Sequence, residues 1–382
     1  MKKIALLGST GSIGRQVLEV VDRYPNEYGV VSLCCNKNGK LLEEQINKYK
    51  PLYAGITNPE YANQISSLPH GTTLYTGENA LLHCTCEEAD IIVVAVVGFC
   101  GLESVLQACK MGKVIALANK ESLVAGGDLV MKCAKDNGAT IIPIDSEHSA
   151  LWQCLHFNKT TPYKKLILTA SGGALRDLKM QDLQNVTAKD ALKHPTWKMG
   201  AKITIDCATM MNKGLEVIEA MHLFNCSLRD IEVVIHPQSI VHSMVEYADN
   251  ALIAQLSNPS MDIPIQLALS YPTRCESGTL PLDFSLLTLD FKAPDYERYP
   301  CLKLALECAE KGYNYPCALS SANEVAVELF LQGKIKFTQI AEYVRYAING
   351  VTKTEVSLEN LKRTDMQARE LVLLAYKEKK ID

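Results

Sequence analysis

Over residues 1–147, short β-branched runs alternate with stretches of helical periodicity. Residues 3–7, 30–34, 91–96, 114–118 and 140–144 read as strands, with helices such as 12–24 and 102–111 between several of them. These strands are apolar along their length, which is the signature of a sheet covered on both faces. With helices as connections, the pattern predicts an α/β fold led by a Rossmann-like, doubly wound parallel sheet.

After residue 147 the pattern changes. A strand at 165–169, a Pro/Gly-containing loop at 192–200 and a long helix at 208–224 come first. Residues 231–236 and the runs flanking Asp249-Asn250 then read as antiparallel strands, with Asp-Asn as a hairpin turn. The stretch 271–300 carries Pro272, Pro281, Pro294 and Pro300 with little periodicity and reads as a linker. From 301 the pattern is helical in about four pieces, punctuated by Pro316 and Gly333. Ser320 or Ser321 is placed to cap the piece containing Asn323-Glu324. The expected organisation is therefore four segments: 1–147, a central α+β domain at 148–270, a linker at 271–300, and a C-terminal helical bundle at 301–382.

Composition narrows the function classes. A chain of 382 residues needs two or three cores. The formal net charge of −4 gives no global attraction for nucleic acid or an anionic membrane, so neither is expected as a partner. The fourteen cysteines are scattered without zinc-site spacing and read as reduced thiols of a cytoplasmic protein. Met1-Lys2-Lys3 and the apolar residues behind them imitate a secretory signal, but the run stops at Gly8. The longest apolar run, 91–100, is too short to cross a bilayer as a helix.

Any bound anion must then be held locally. Gly8-Ser-Thr-Gly11-Ser-Ile-Gly14 follows the first strand and opens the first helix, where a dinucleotide's pyrophosphate can approach the backbone. The spacing is GxxGxxG, and such turns also close βα units that hold no ligand. The second strand runs into Asn36-Lys37-Asn38 without the acid that holds NAD ribose hydroxyls. Lys37 and two amides would welcome a 2′-phosphate, which points to NADPH, although Lys37 alone also reads as a solvated lysine.

Acids follow the last strand of this region in Asp145-Ser146-Glu147-His148. In an extended segment Asp145 and Glu147 project to one side and repel unless a cation or proton separates them. A solvated acidic loop is the alternative. Asn212, Lys213 and Glu216 share one face of the helix at 208–224, and Glu216 is a candidate third acid. An all-oxygen set suits Mg²⁺ or Mn²⁺. Ser171-Gly172-Gly173, after the strand at 165–169, reads as an anion cradle or as an ordinary tight turn. The loop 193–200 holds Lys193, His194, Trp197 and Lys198 and has the make-up of a closing lid, or of a plain surface loop.

Taken together, these segments resemble the 1-deoxy-D-xylulose 5-phosphate reductoisomerase family. Gly-Ser-Thr-Gly-Ser-Ile-Gly at 8–14, Ala-Asn-Lys-Glu-Ser at 118–122, Asp-Ser-Glu-His at 145–148 and Ser-Gly-Gly at 171–173 match in order. His-Pro-Thr-Trp-Lys-Met-Gly at 194–200 and Ala-Thr-Met-Met-Asn-Lys-Gly-Leu-Glu at 208–216 follow. Ile-His-Pro-Gln-Ser-Ile-Val-His-Ser at 235–243 and Asn-Glu-Val-Ala-Val at 323–327 extend the match.

The resemblance implies that Asp145, Glu147 and Glu216 hold Mg²⁺, Mn²⁺ or a similar ion such as Co²⁺. It implies substrate contacts from Lys120, Ser146, Ser171, His194, Asn212 and Lys213, several of them to a phosphate. Thr10, Gly11, Ser12, Ile13, Lys37, Asn38, Asn119, Glu121 and Gly200 would line the NADPH site, with Trp197 and Met199 on a lid. One position departs: Cys207 stands where the family usually has serine. A thiol donates poorly, so weaker substrate binding at Cys207, or compensation by its neighbours, is expected.

The implied activity has two stages. A carbon–carbon bond of a small phosphorylated sugar breaks and re-forms beside a Lewis-acidic cation, and NADPH then reduces the resulting aldehyde to 2-C-methyl-D-erythritol 4-phosphate. Lys120 is the one candidate for general base. The family is a homodimer serving the non-mevalonate isoprenoid pathway. Two rivals explain less of the sequence. An NADP-dependent dehydrogenase of another small substrate, such as an amino-acid semialdehyde, leaves the acids unexplained. A non-enzymatic NADPH sensor that keeps the fold predicts NADPH binding without consumption, and site residues that tolerate alanine.

Overall fold

The computed structural model describes residues 1–156, 162–197 and 199–381. Their contacts divide the chain into two units, Met1–Ser122 with Val130–Ser149 and Met261–Thr279, and Leu123–Leu129 with Ala150–Ser260 and Leu280–Asp382.

The first unit is built on seven strands, β1 (Lys2–Leu7), β2 (Tyr28–Cys35), β3 (Tyr53–Ile56), β4 (Thr73–Thr76), β5 (Ile91–Val94), β6 (Val114–Leu117) and β7 (Thr140–Pro143). Their order is β4-β3-β2-β1-β5-β6-β7 and every pairing is parallel. The doubly wound parallel sheet expected from the apolar runs is therefore present. Ile4 to Leu7 and Ile92 to Val94 are fully buried, and the helix Asp262–Ser270 adds Ile265, Ala268 and Leu269 to the same core. Strand order reverses at β1, between β2 and β5, which is the switch point where open α/β sheets seat ligands. The turns after β1, β2, β6 and β7 carry the glycine motif, Lys37, Asn119 and Asp145 in turn, all at the carboxyl edge.

In the second unit β8 (Tyr163–Ala170), β9 (Ile231–Ile235), β10 (Val241–Tyr247) and β11 (Leu252–Leu256) form a sheet of order β11-β10-β8-β9. The hairpin β10–β11 turns through Asn250 at φ 65°, as the Asp-Asn pair predicted. β9 is a correction: it pairs with β8 in parallel. The helices Met180–Asn185 (3₁₀), Ala201–Ala208 and Met211–Leu223 intervene between β8 and β9, giving the crossover length that parallel strands need. The C-terminal part has the expected helical bundle, Pro300–Lys311, Tyr315–Leu331, Gln339–Gly350 and Leu358–Lys377, around Leu304, Leu319, Phe330, Val344 and Val372.

Two local expectations fail and one boundary shifts. The helix expected at 208–224 is Met211–Leu223, because Met210 at φ 59° separates it from the preceding helix Ala201–Ala208. Ser320 and Ser321 cap nothing; they lie buried inside Tyr315–Leu331, which starts at Tyr315-Pro316 with proline at its first turn. The extended segment through Asp145 and Glu147 is a helix start, Ser146–His156. Asp145 Oδ1 accepts the Glu147 N–H at 3.3 Å, as helix-capping residues do, so the two acids converge through a cap instead of a strand pleat.

Candidate active site

The glycine turn is dictated by contact. Gly8 has φ 94°, and a Cβ there would lie 2.4 Å from the Ala95 carbonyl oxygen. A Cβ at Gly14 would lie 2.2 Å from the Gly8 carbonyl oxygen. Cys34 O accepts the N–H groups of Gly8 and Ser9 at 2.8 and 2.9 Å, and Gln45 Nε2 donates to Ser9 O at 3.0 Å. The turn so pinned opens the helix Ser12–Arg23, which has no side-chain cap and no acid in its first turn. Thr10 and Ile13 are half-buried, and Gly11 and Ser12 are exposed. An uncapped, unopposed helix N-terminus is suited to an anion.

Asn36, Lys37 and Asn38 are exposed at the end of β2. Asn36 Oδ1 accepts from the Thr57 hydroxyl at 3.1 Å, and Asn38 Oδ1 accepts the Leu41 N–H at 3.2 Å. With both amide oxygens engaged, what these exposed side chains can still offer is the NH₂ donor, which together with the lysine suits a phosphate. Asn119 is fully buried, and its amide donates to Val96 O, Gly98 O and Glu121 at 3.1, 3.0 and 3.0 Å. Its side chain fastens the turn after β5 and leaves only backbone to reach a cofactor.

Beyond β7, Lys120 Nζ stands 2.5 Å from Asp145 Oδ2, and His148 Nδ1 stands 3.3 Å from Asp145 Oδ1. Burial pushes the Asp145 carboxyl up, but Lys120 and His148 outweigh it and hold it well below the usual carboxylate range. The Ser146 hydroxyl donates to Glu147 at 2.5 Å.

In the second unit, Glu216 accepts from Asn212 and from Lys213 within one helix face. The Lys213 and Glu216 side chains are 3% and 1% exposed. Burying such a pair seldom stabilises a fold over an apolar substitute, which makes it a candidate for chemistry. The Met210 break starts this helix afresh, so the three residues occupy its first two turns.

Ser171 Oγ lies 3.0 Å from His194 Nε2 and accepts the Gly173 N–H at 3.1 Å. His194 Nδ1 accepts the N–H groups of Thr196 and Trp197 at 3.2 and 2.9 Å, so the neutral ring carries its proton on Nε2 and donates to Ser171. Burial and the Arg176 charge push the His194 pKa down, consistent with that tautomer. Ser171 accepts twice and retains its hydroxyl proton for a ligand. Gly172 and Gly173 have φ 79° and 72°, and a Cβ on Gly173 would meet Cys207 O at 2.5 Å. The turn thus packs on the end of the helix Ala201–Ala208, where Cys207 is half-buried. Trp197 stands edge-on to His242, with ring centres 6.1 Å apart; Gly200 caps the following helix, Met199 is half-buried, and Lys198 lies outside the described residues.

Sequence reading missed the supports. Asp206, 1% exposed, accepts from Asn323 Nδ2 at 2.7 Å and pairs with Lys202 Nζ at 2.9 Å, fixing the helix that ends in Cys207. The Lys202–Asp206 spacing of four was the available signal; Asn323 stood in the motif at 323–327, but nothing there announced its bond to Asp206, 117 residues away.

Family models cover most of the chain. The model described as "1-deoxy-D-xylulose 5-phosphate reductoisomerase" matches residues 4–127, its C-terminal domain matches 141–224, and "DXP reductoisomerase C-terminal domain" matches 256–371. The 1-deoxy-D-xylulose 5-phosphate reductoisomerase of Clostridium perfringens is 46% identical over 383 residues, covering 98% of this chain and 100% of that one. This chain belongs to the 1-deoxy-D-xylulose 5-phosphate reductoisomerase family. The reductoisomerase of Caldanaerobacter subterraneus is 48% identical over 98% of the chain and the whole of that relative. Among solved structures, a reductoisomerase in complex with NADPH, fosmidomycin and magnesium has a TM-score of 0.93 at 42% identity, covering 100% of this chain and 99% of that one. The Zymomonas mobilis reductoisomerase in complex with NADPH has a TM-score of 0.90 at 39% identity, covering 98% and 99%. Among the described residues no helix is long and apolar enough to cross a membrane.

Proposed function

We propose that this reductoisomerase-family chain converts 1-deoxy-D-xylulose 5-phosphate to 2-C-methyl-D-erythritol 4-phosphate with NADPH and a divalent cation, in the non-mevalonate isoprenoid pathway. What carries the reading is kinship to reductoisomerases along 98% of the chain. Asp145, Glu147 and Glu216 are read as the cation's ligands, a donor set of oxygen alone, which fits Mg²⁺, Mn²⁺ or Co²⁺ better than a thiophilic ion. The cation supplies Lewis acidity to the sugar's carbonyl and hydroxyl oxygens, and NADPH supplies hydride.

The chain's own residues do the rest. Lys120, held at 2.5 Å from Asp145, brings an ammonium to the reacting oxygens and is the candidate to move their proton. Ser171, oriented by His194, donates its hydroxyl proton to the substrate phosphate; Ser146, Asn212 and Lys213 also bind substrate, several of them at that phosphate, with Cys207 as a weak donor. Thr10, Gly11, Ser12 and Ile13 seat the pyrophosphate; Lys37 and Asn38 take the 2′-phosphate; Asn119, Glu121 and Gly200 border the nicotinamide half. Trp197 and Met199 close over the sugar and exclude water.

NADPH absorbance should fall when deoxyxylulose phosphate and Mg²⁺ or Mn²⁺ are both present, and stop on adding a chelator. Turnover that survives chelation would pass the chain to the metal-free dehydrogenases.

A second copy of the chain is the partner we read for the strip Leu280, Phe284 and Leu286, exposed by 77%, 75% and 81%. Three large apolar side chains exposed within seven residues of chain offer a surface suited to a covering partner. Phe284→Asp with Leu286→Asp should convert a dimer to monomers in sedimentation velocity; an unchanged dimer places the contact elsewhere. Fourteen unbridged thiols support a reducing, cytoplasmic setting.

A further inference from the structure

The Ser171-Gly172-Gly173 turn has a cation behind it. Arg176 Nη1 donates to Ser171 O at 2.9 Å and to Pro237 O at 3.4 Å. Its stem packs under the turn, since a Cβ on Gly172 would meet Arg176 Cβ and Cδ at 3.1 and 3.2 Å. Tyr299 closes the same turn by donating its hydroxyl to Gly172 O at 3.1 Å. The Arg176 side chain is only 21% exposed, and its Nε meets the largely exposed Asp177 at 3.1 Å, a pairing that solvent weakens. Most of its charge is therefore felt on the side of the turn.

We propose that Arg176 is a positioning residue for the substrate's phosphate: it fixes Ser171 from behind and adds positive potential to the turn without touching the ligand. The proposal rests on reading this turn as the phosphate cradle. Two effects add. Donation into the Ser171 carbonyl polarises the peptide, making the Gly172 N–H on its far side a stronger donor. The guanidinium's charge acts through a poorly solvated wall, where it is screened less than at a surface. The same bond fixes Ser171, whose hydroxyl is already oriented by His194 and Gly173.

The test separates charge from shape and phosphate from sugar. Arg176→Gln keeps a donor and loses the charge; Arg176→Lys keeps the charge and loses the planar donation to two carbonyls. For each, kcat/KM is measured with 1-deoxy-D-xylulose 5-phosphate and with the same sugar lacking its phosphate, and inorganic phosphate is titrated as an inhibitor. Arg176→Gln should lower the preference for the phosphorylated sugar about tenfold or more and weaken inorganic phosphate in parallel. It should leave turnover of the unphosphorylated sugar within about twofold, and Arg176→Lys should fall between Arg176→Gln and the natural chain. Equal losses on both sugars would make Arg176 a fold residue only, and no loss would remove it from the site. Ser171→Ala tests the reading beneath. If it lowers the preference and Arg176→Gln does not, the inference falls while the cradle stands. If neither does, the phosphate binds elsewhere.

Discussion

Glu216→Gln is expected to lower kcat by about 10² to 10³ and to weaken Mn²⁺ binding at least about tenfold, with NADPH affinity within about twofold of native. The carboxylate sits on a buried helix face, 1% exposed, with Asn212 and Lys213 donating to it. Glutamine keeps its length and shape, so Asn212 can still be met. What disappears is the negative charge that Lys213 and a divalent cation both require. Leaving Lys213 buried without its partner also destabilises the fold, by about 3–5 kcal/mol for a broken buried pair. Thermal unfolding must therefore be followed alongside activity, and assays run well below the variant's melting temperature. Mn²⁺ affinity read by electron paramagnetic resonance decides the matter. Native affinity in Glu216→Gln would remove this residue from the donor set whatever happened to turnover. Glu216→Asp, which keeps charge but shortens reach, should recover part of the affinity.

The sequence announced chemistry more readily than geometry. The parallel sheet was legible because Ile4–Leu7 of β1 and all of β5 are apolar and buried, a pattern that two-sided burial maintains. β3 and β4 escaped notice: Tyr53-Ala-Gly-Ile and Thr73-Leu-Tyr-Thr are four residues each, and β4 has no buried residue. Their pairing with β2 follows from neighbours in space, which periodicity does not record. The Met210 break was invisible because a left-handed backbone at a non-glycine residue leaves no compositional mark. Ser320 and Ser321 misled because small polar residues suit both caps and tightly packed helix interfaces. Asp145 and Glu147 were placed side by side through a strand argument, where the chain uses a helix start. Lys120 with Asp145, and Ser171 with His194, are pairs between separate elements that only the fold brings within bonding distance.

Gly14→Ala is expected to weaken NADPH binding about 100-fold while inorganic phosphate affinity stays native. The added carbon would lie 2.2 Å from the Gly8 carbonyl oxygen and 2.7 Å from Ser9 Cα, both backbone atoms. Neither can yield alone, since Cys34 O binds the N–H groups of Gly8 and Ser9, and Gln45 binds Ser9 O. The helix Ser12–Arg23 must then back away from the turn, and its first-turn N–H groups move with it. Two charge-assisted bonds lost to a pyrophosphate amount to about 3 kcal/mol, hence the factor of about 100. Gly29 in β2 is the matched control, because its Cβ would meet no backbone, only the flexible tip of Met1 at 3.0 Å. Gly29→Ala should therefore bind NADPH within about twofold of native by fluorescence titration. Equal affinities in Gly14→Ala and Gly29→Ala would mean that the dinucleotide does not rest on this turn, and the helix N-terminus would lose its assigned anion.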